Sequence, residues 1–137
     1  MYKNYICIFL FVTMNSLVGQ VQKRDSLFKI AEFYRSGYAL ENIHDSFFLK
    51  KIETYYSLAI KEDSLFFKAY LGLASLYKEE CVYYYNKQYV NKKQKAENDT
   101  IADRYLLKYN KLHDLYAVKL KKYKEENVEV EEYEYEE

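Results

Sequence analysis

The sequence predicts an all-α protein made of antiparallel helix hairpins, arranged either as a short solenoid of helical repeats or as a four-helix bundle. Its 137 residues include no Pro and three Gly, so residues that break helices are scarce. Half of the residues are apolar and 31% are charged, which excludes wholesale disorder and is typical of a chain with a packed core. Apolar side chains recur every three or four residues, which is the spacing of one helix face.

The first 19 residues have the layout of a signal peptide. Lys3 precedes an uncharged run of 14 residues, Tyr5–Val18, which ends before Gly19 and Gln20. The run is shorter than the roughly 20 residues that a membrane-spanning helix needs. An uncleaved N-terminal anchor is the alternative interpretation. With cleavage, we expect an exported protein, periplasmic or extracellular, with no stable membrane insertion.

Four short motifs, each an Asp followed by a hydroxyl residue and an apolar one, predict where helices begin. Side chains of Asp, Ser and Thr accept hydrogen bonds from the free N–H groups of a first helical turn. The motifs are Asp25-Ser26-Leu27, Asp45-Ser46-Phe47, Asp63-Ser64-Leu65 and Asp99-Thr100-Ile101. The helices that they predict cover residues 26–37, 46–62, 65–96 and 100–124.

The predicted helix ends differ in how clearly they are marked. Gly37 suits the end of the first helix, in a left-handed conformation. Residues 83–96 carry no clear stop signal, which leaves the third helix either long or broken. Apolar stripes at helical spacing support the third and fourth helices. The stripes are Phe66, Tyr70, Leu73, Tyr77, Cys81 and Tyr84, and Ile101, Tyr105, Tyr109, Leu112, Tyr116, Leu120 and Tyr123.

The formal net charge of zero conceals an uneven distribution of charge along the chain. Residues 20–124 hold 20 basic and 13 acidic residues, a net charge of +7, whereas residues 125–137 hold eight Glu and no basic residue. We expect the segment 125–137 to be an acidic, disordered tail. A sharper hypothesis is that this tail folds across the basic face and competes with an acidic ligand, more weakly at high salt.

One cysteine, Cys81, remains after removal of the predicted signal peptide. An intramolecular disulfide is then excluded, and stability must come from packing. Because Cys81 falls on the apolar stripe of the third helix, we expect it to be a buried small apolar side chain, with pairing between chains as the alternative.

Two segments share one template of a large residue, an aliphatic residue, a small residue and Tyr. They are Leu27-x-x-Ile30-Ala31-x-x-Tyr34 and Tyr70-x-x-Leu73-Ala74-x-x-Tyr77. This template resembles the first helix of a tetratricopeptide repeat, in which a small residue lets a neighbouring helix approach. Residues 52–77 resemble a junction between two such repeats, with Ala59 at the end of one unit. The copies lie 43 residues apart instead of the roughly 34 of the family, so a generic four-helix bundle stays open.

The resemblance implies a binding face on the first helix of each unit. Its outward positions fall on Phe28, Glu32 and Arg35 in the first copy, and on Lys68, Leu71, Ser75 and Lys78 in the second. Two Lys and one Arg make this face suited to an acidic ligand or a C-terminal carboxylate. An ordinary solvated face is the alternative interpretation of each position.

Other classes of function have weaker support in the sequence. The residues 83–95 interleave Tyr with Lys, as a surface for single-stranded nucleic acid does, but an exported protein rarely meets that ligand. The two His lie 69 residues apart, and no motif for a metal, a cofactor or catalysis occurs. We therefore predict a non-catalytic module that binds another protein or peptide. The alternative is a structural helical bundle that self-associates through its basic body and acidic tail, giving a homo-oligomer.

Overall fold

The structure is helical, and this confirms the predicted all-α fold class. The computed structural model describes the backbone of residues 2–41 and 46–134, and the side chains of residues 17–38 and 46–127. Its helices in chain order are α1 (Tyr2–Glu41), α2 (Ser46–Glu62), α3 (Phe67–Asn86) and α4 (Lys92–Glu134). No strand occurs among these residues.

The start of α2 agrees with the prediction and the starts of the other helices correct it, while Asp45, the predicted cap of α2, lies outside the described residues. α2 has the predicted bounds, Ser46–Glu62. The backbone N–H of Leu65 donates to Asp63 Oδ1 at 2.9 Å, which forms a turn before α3 begins at Phe67. Asp63 therefore accepts a backbone hydrogen bond close to the predicted helix start, although α3 itself begins two residues after the expected Leu65.

The helix starts predicted at Ser26 and Thr100 are wrong, because both residues lie inside longer helices. Ser26 Oγ donates to the backbone oxygen of Gln22 at 2.8 Å within α1. Thr100 Oγ1 donates in the same way to the oxygen of Ala96, also at 2.8 Å, within α4. A hydroxyl bonded to the carbonyl four residues earlier is satisfied in the helix interior, so it marks no start.

The predicted end of the first helix at Gly37 is also wrong. α1 continues to Glu41, and Gly37 has no left-handed backbone conformation. Neither Gly37 nor Gly19 meets a neighbouring atom within 4 Å of an added Cβ, so no close approach depends on these two glycines. The first helix begins at Tyr2 and therefore includes the predicted signal peptide, whose cleavage stays a prediction.

The open question about residues 83–96 is settled by a break between α3 and α4. α3 ends at Asn86, and α4 begins at Lys92, eight residues before the predicted start at Thr100. Asn91 Oδ1 accepts a hydrogen bond from the N–H of Gln94 at 2.9 Å, and the Gln94 side chain accepts one from the N–H of Val90 at 2.8 Å. These two hydrogen bonds stabilise the first turn of α4.

The end of α4 lies beyond the predicted residue 124. The helix continues to Glu134 and so includes most of the segment 125–137, which we expected to be disordered. Residues 135–137 lie outside the described residues. No helix in the described part of the chain is long and apolar enough to span a membrane.

The chain divides into two units, and the first, Met1–Ala69, is built on α1 and α2. These two helices run antiparallel. Arg24 of α1 pairs with Asp63, just after the end of α2, whereas the ring of Tyr34 lies 6.2 Å from Phe48 near the start of α2. The core of this unit includes the fully buried Ala31, Ile52, Tyr56 and Ala59. Burial of Ala31 and Ala59 confirms the prediction that small side chains lie where helices approach.

The second unit, Tyr70–Glu137, pairs α3 with α4. Ring centroids lie 6.4 Å apart for Tyr70 and Tyr116, and 6.0 Å apart for Tyr84 and Tyr105, so these helices are also antiparallel. Leu76 and Ala102 are fully buried. Ala74, the third predicted small contact residue, is half-buried.

Candidate protein-binding surfaces

The three candidate residues on α1 make contacts inside the first unit. The ring of Phe28 lies 5.8 Å from that of Tyr56 and 5.3 Å from that of Phe66. Glu32 accepts a hydrogen bond from the Tyr56 hydroxyl, and the Arg35 side chain is hydrogen-bonded to the same residue. These contacts join α1 to α2 through side chains that we expected to point outward. We therefore leave all three out of the binding surface.

Burial governs the chemistry of this contact. Tyr56 is fully buried, and this burial, together with the hydrogen bond to Glu32, raises the pKa of its hydroxyl to about 12. Arg35 lowers the same pKa, but its effect is smaller. The Tyr56 hydroxyl therefore stays protonated at neutral pH and acts as a hydrogen-bond donor across the helix pair.

Charged residues of α1 form ion pairs with acidic residues at the C-terminal end of α2. Arg24 pairs with Asp63 and, at 3.1 Å, with its neighbour Asp25, and its guanidinium lies 4.5 Å from the ring centroid of Phe66. The hydrogen bond to Asp25 raises the pKa of Arg24. Lys23 forms a 2.6 Å ion pair with Glu62. Sequence reasoning missed this cluster, although the basic pair 23–24 and the acidic pair 62–63 are both visible in the sequence.

The candidate residues on α3 remain accessible. Lys68, Leu71 and Lys78 are exposed, and 54% of the Leu71 surface is accessible to solvent. Ser75 is half-buried and donates to Glu79 Oε1 at 2.9 Å. Val82 continues the same helical stripe and is 51% exposed. We name the stripe of Leu71, Ser75, Lys78 and Val82 the outer face of α3.

Tyrosine rings fix the opposite face of α3 against α4. The Tyr105 ring lies 6.2 Å from Tyr77 and stacks at 6.0 Å on Tyr84. Lys108 Nζ lies 5.0 Å from the ring centroid of Tyr77 and 5.3 Å from that of Tyr105. Aromatic pairs and cation–π contacts of this kind each stabilise packing by about 0.5–1.5 kcal/mol. The outer face of α3 therefore belongs to a helix that is held on its other side.

The alternation of Tyr and Lys near the end of α3 serves contacts within the protein. Lys87 Nζ lies 5.4 Å from the ring centroids of both Tyr83 and Tyr84. The hydroxyl of Tyr85 donates to Asp103 Oδ1 at 2.5 Å, and this hydrogen bond raises its pKa to about 12. These rings and cations accordingly pair with one another within the described part of the chain.

Cys81 is buried, as predicted, and is a free cysteine. Burial raises the pKa of its thiol, and the nearby Asp103 carboxylate raises it further. A protonated, buried thiol is a poor nucleophile. Asn98 is also buried, and its Nδ2 atom has no hydrogen-bond partner within the described part of the chain.

A surface that sequence reasoning missed lies along α2. A groove of about 370 Å³ is lined by residues of one stripe of this helix. They are Phe47, Lys50, Lys51, Thr54, Tyr55 and Leu58. Phe47 is 58% exposed, with Lys51 Nζ 5.6 Å from its ring centroid. The sequence signal was the recurrence of aromatic, basic and aliphatic residues every three or four positions. We name these six residues the α2 groove.

Among the described residues, no group of three or more His, Cys, Asp or Glu is placed to hold a metal ion. No family model, curated protein or solved structure matches the chain.

Proposed function

We propose that the chain is an exported protein–protein interaction module without catalytic activity of its own, and that the outer face of α3 contacts the partner. The observation that carries the proposal is the exposure of Leu71 and Val82, at 54% and 51%, on both sides of Lys78. Apolar side chains that stay exposed beside a cation are typical of a surface that a partner covers.

The packing of α3 against α4 supports this proposal. Its inner face contacts Tyr105 and Tyr116 of α4, so presentation of the outer face requires no ordering of the helix on binding. The resemblance of residues 52–77 to a tetratricopeptide-repeat junction is consistent with peptide or protein binding. Export follows from the predicted signal peptide of residues 1–19.

The chemistry of the surface indicates an acidic partner that also carries apolar side chains. Lys78 supplies an ammonium group for a carboxylate, and Leu71 supplies apolar area. Lys68, in the first turn of α3, is a second exposed cation on the same helix. Neither a cofactor nor a metal is part of the proposal.

Affinity capture with two charge-reversed baits tests this function. The full chain and a Lys68→Glu/Lys78→Glu variant are compared on the same periplasmic or extracellular extract. The control is Lys93→Glu/Lys111→Glu, which makes the same charge change at two exposed positions of α4. The proposal predicts a partner that the wild type and the control retain and the α3 variant loses. A partner list shared by all three baits would contradict it.

A second candidate function is self-association as a structural helical bundle. The observation that favours it is the separation of charge between residues 20–124, at +7, and the eight Glu of residues 125–137. Light scattering at low salt should then show an oligomer that disappears when residues 125–137 are deleted. A monomer at low salt would exclude this candidate.

A further inference from the structure

We infer that the α2 groove is a docking site for the acidic C-terminal segment, residues 125–137, of a second copy of the chain. The inference rests on the second candidate function and names the two surfaces that would make the contact. Its basis is the chemistry of the groove, the composition of the segment, and the helix that presents the segment.

The groove combines apolar area with positive charge. Phe47 and Leu58 are 58% and 37% exposed along its length. Lys50 and Lys51 add two cations, and no acid occurs among the described residues that line the groove. Neither lysine forms an ion pair with a carboxylate among the described side chains of residues 17–38 and 46–127. Such a groove suits a segment in which carboxylates alternate with apolar side chains.

The chain contains a segment with this composition. Residues 125–137 hold eight Glu and no basic residue, with Val128, Val130, Tyr133 and Tyr135 between them. A groove of about 370 Å³ is large enough for one aromatic and one aliphatic side chain of the segment, with neighbouring carboxylates beside the lysines.

The helix that carries the segment extends beyond the ring contact between Tyr116 and α3. The ring of Tyr116 on α4 lies 6.4 Å from that of Tyr70 on α3. Glu125 lies nine residues later, about 14 Å further along a continuous helix that ends at Glu134. α4 contains no Gly or Pro that would kink it. Side chains 121–127 are all exposed, which leaves this end of α4 accessible to another copy.

The contact has a definite dependence on ionic strength. Lys50 is exposed and Lys51 is half-buried, so their attraction to the Glu side chains is largely screened above about 0.5 M salt, where the Debye length falls to about 4 Å. Apolar contacts with Phe47 and Leu58 are not weakened by salt. We therefore expect association that weakens strongly with salt but needs more than charge alone.

Light scattering of the full chain at about 0.05 M and about 0.5 M NaCl measures this association. The wild type should at least double its mass relative to the monomer at low salt. Lys50→Glu/Lys51→Glu should return the mass to that of the monomer. The control, Lys92→Glu/Lys93→Glu, changes two adjacent exposed lysines at the start of α4 and should keep the oligomer.

Charge exchange identifies the segment that fills the groove. Combining Lys50→Glu/Lys51→Glu with replacement of all eight Glu of residues 125–137 by Lys should restore the oligomer, because the groove then carries the negative charges and the segment the positive ones. A synthetic peptide of residues 125–137 in excess should dissociate the wild-type oligomer, and the same peptide with every Glu replaced by Gln should not. Circular dichroism checks that each variant keeps its helix content.

Two different failures can be told apart in this experiment. A wild-type chain that is monomeric at low salt overturns both self-association and the groove contact. An oligomer that needs residues 125–137 but keeps its mass in Lys50→Glu/Lys51→Glu overturns the groove contact and leaves self-association standing. Loss of the oligomer to the same extent in the Lys92→Glu/Lys93→Glu control also overturns the groove contact.

Discussion

The buried hydroxyl of Tyr56 on α2 donates a hydrogen bond to the carboxylate of Glu32 on α1. This bond crosses the first helix pair and joins two residues that lie 24 positions apart in the sequence. Because the ring of Tyr56 also contacts Phe28, one residue supplies both apolar and polar contact to α1. The pairing of α1 with α2 should therefore depend measurably on the Tyr56 hydroxyl.

Replacement of Tyr56 by Phe should lower the free energy of unfolding by about 1–2 kcal/mol. The change keeps the ring and removes the donor of a hydrogen bond to a charged acceptor, and bonds of this kind contribute about 1.5–3 kcal/mol. Glu32 is exposed, so water can solvate its carboxylate in the variant and keep the cost moderate. Urea unfolding followed by circular dichroism measures the change. Tyr89→Phe, at a 53% exposed position, should shift the value by less than about 0.5 kcal/mol.

Stability should fall at alkaline pH as the Tyr56 hydroxyl is titrated. Its pKa is about 12 in the folded chain and about 10 in the unfolded chain. Below pH 10 both states hold the proton, and the stabilisation is complete. Between about pH 10 and pH 12 the unfolded chain releases its proton first, so the free energy of unfolding decreases as pH rises.

Tyr56→Phe should flatten this part of the pH profile. Tyr85 has a similarly raised pKa through its hydrogen bond to Asp103, but it is 47% exposed, and solvent weakens its contribution. Tyr85→Phe should therefore change the profile less than Tyr56→Phe does. Urea unfolding at several pH values between 9 and 12 tests the difference, and equal flattening in the two variants would contradict it.

Enlargement of the buried alanines of the first unit should destabilise the fold. Ala31 and Ala59 have no exposed surface, so a Leu side chain at either position must displace neighbouring atoms. We expect each substitution to lower the free energy of unfolding by about 1–3 kcal/mol. Ala74→Leu is the matched control at a half-buried position and should cost less. Thermal unfolding of the three variants ranks them, and an equal loss at Ala74 would argue against this explanation.

The N-terminal cap of α4 should contribute measurably to stability. Asn91→Ala removes the oxygen that accepts from the N–H of Gln94, and we expect a loss of about 1 kcal/mol. Asn110→Ala, in the exposed interior of the same helix, should be neutral or slightly stabilising because Ala is the better helix former. Urea unfolding of both variants checks the difference in sign.

The sequence allowed prediction of the helical fold because the relevant signals are local. Apolar side chains at helical spacing and the absence of Pro indicate helices whatever the tertiary packing. The motif at Asp45 correctly placed the start of α2 at Ser46. The same motif at residues 25–27 and 99–101 predicted helix starts that do not exist. A hydroxyl side chain can form a hydrogen bond either with a free N–H group or with the carbonyl four residues earlier. The alternative start signal, Asn91 followed by Gln94, was present and was overlooked.

The candidate surfaces were less predictable because they depend on which face of each helix is covered. On α1, Phe33 keeps 74% of its surface exposed while the charged Glu32 meets α2, which reverses the usual assignment of apolar and polar faces. Position counting along the repeat template did not reveal that Phe28 and Glu32 contact Tyr56 of α2. On α3 the apolar residues Leu73 and Leu76 are buried and the charged Lys78 is exposed, as is usual for an amphipathic helix. Position counting along the repeat template therefore placed Lys78 on the exposed face.

Site-specific photocrosslinking at Leu71 tests the proposed binding function most directly. A photoreactive amino acid is placed at Leu71 on α3 or at Leu107 on α4, two leucines that are both 54% exposed. In intact cells that export the protein, the proposal predicts a discrete crosslinked partner from position 71 that is absent from position 107. The same products from both positions, or a partner from position 107 alone, would contradict it.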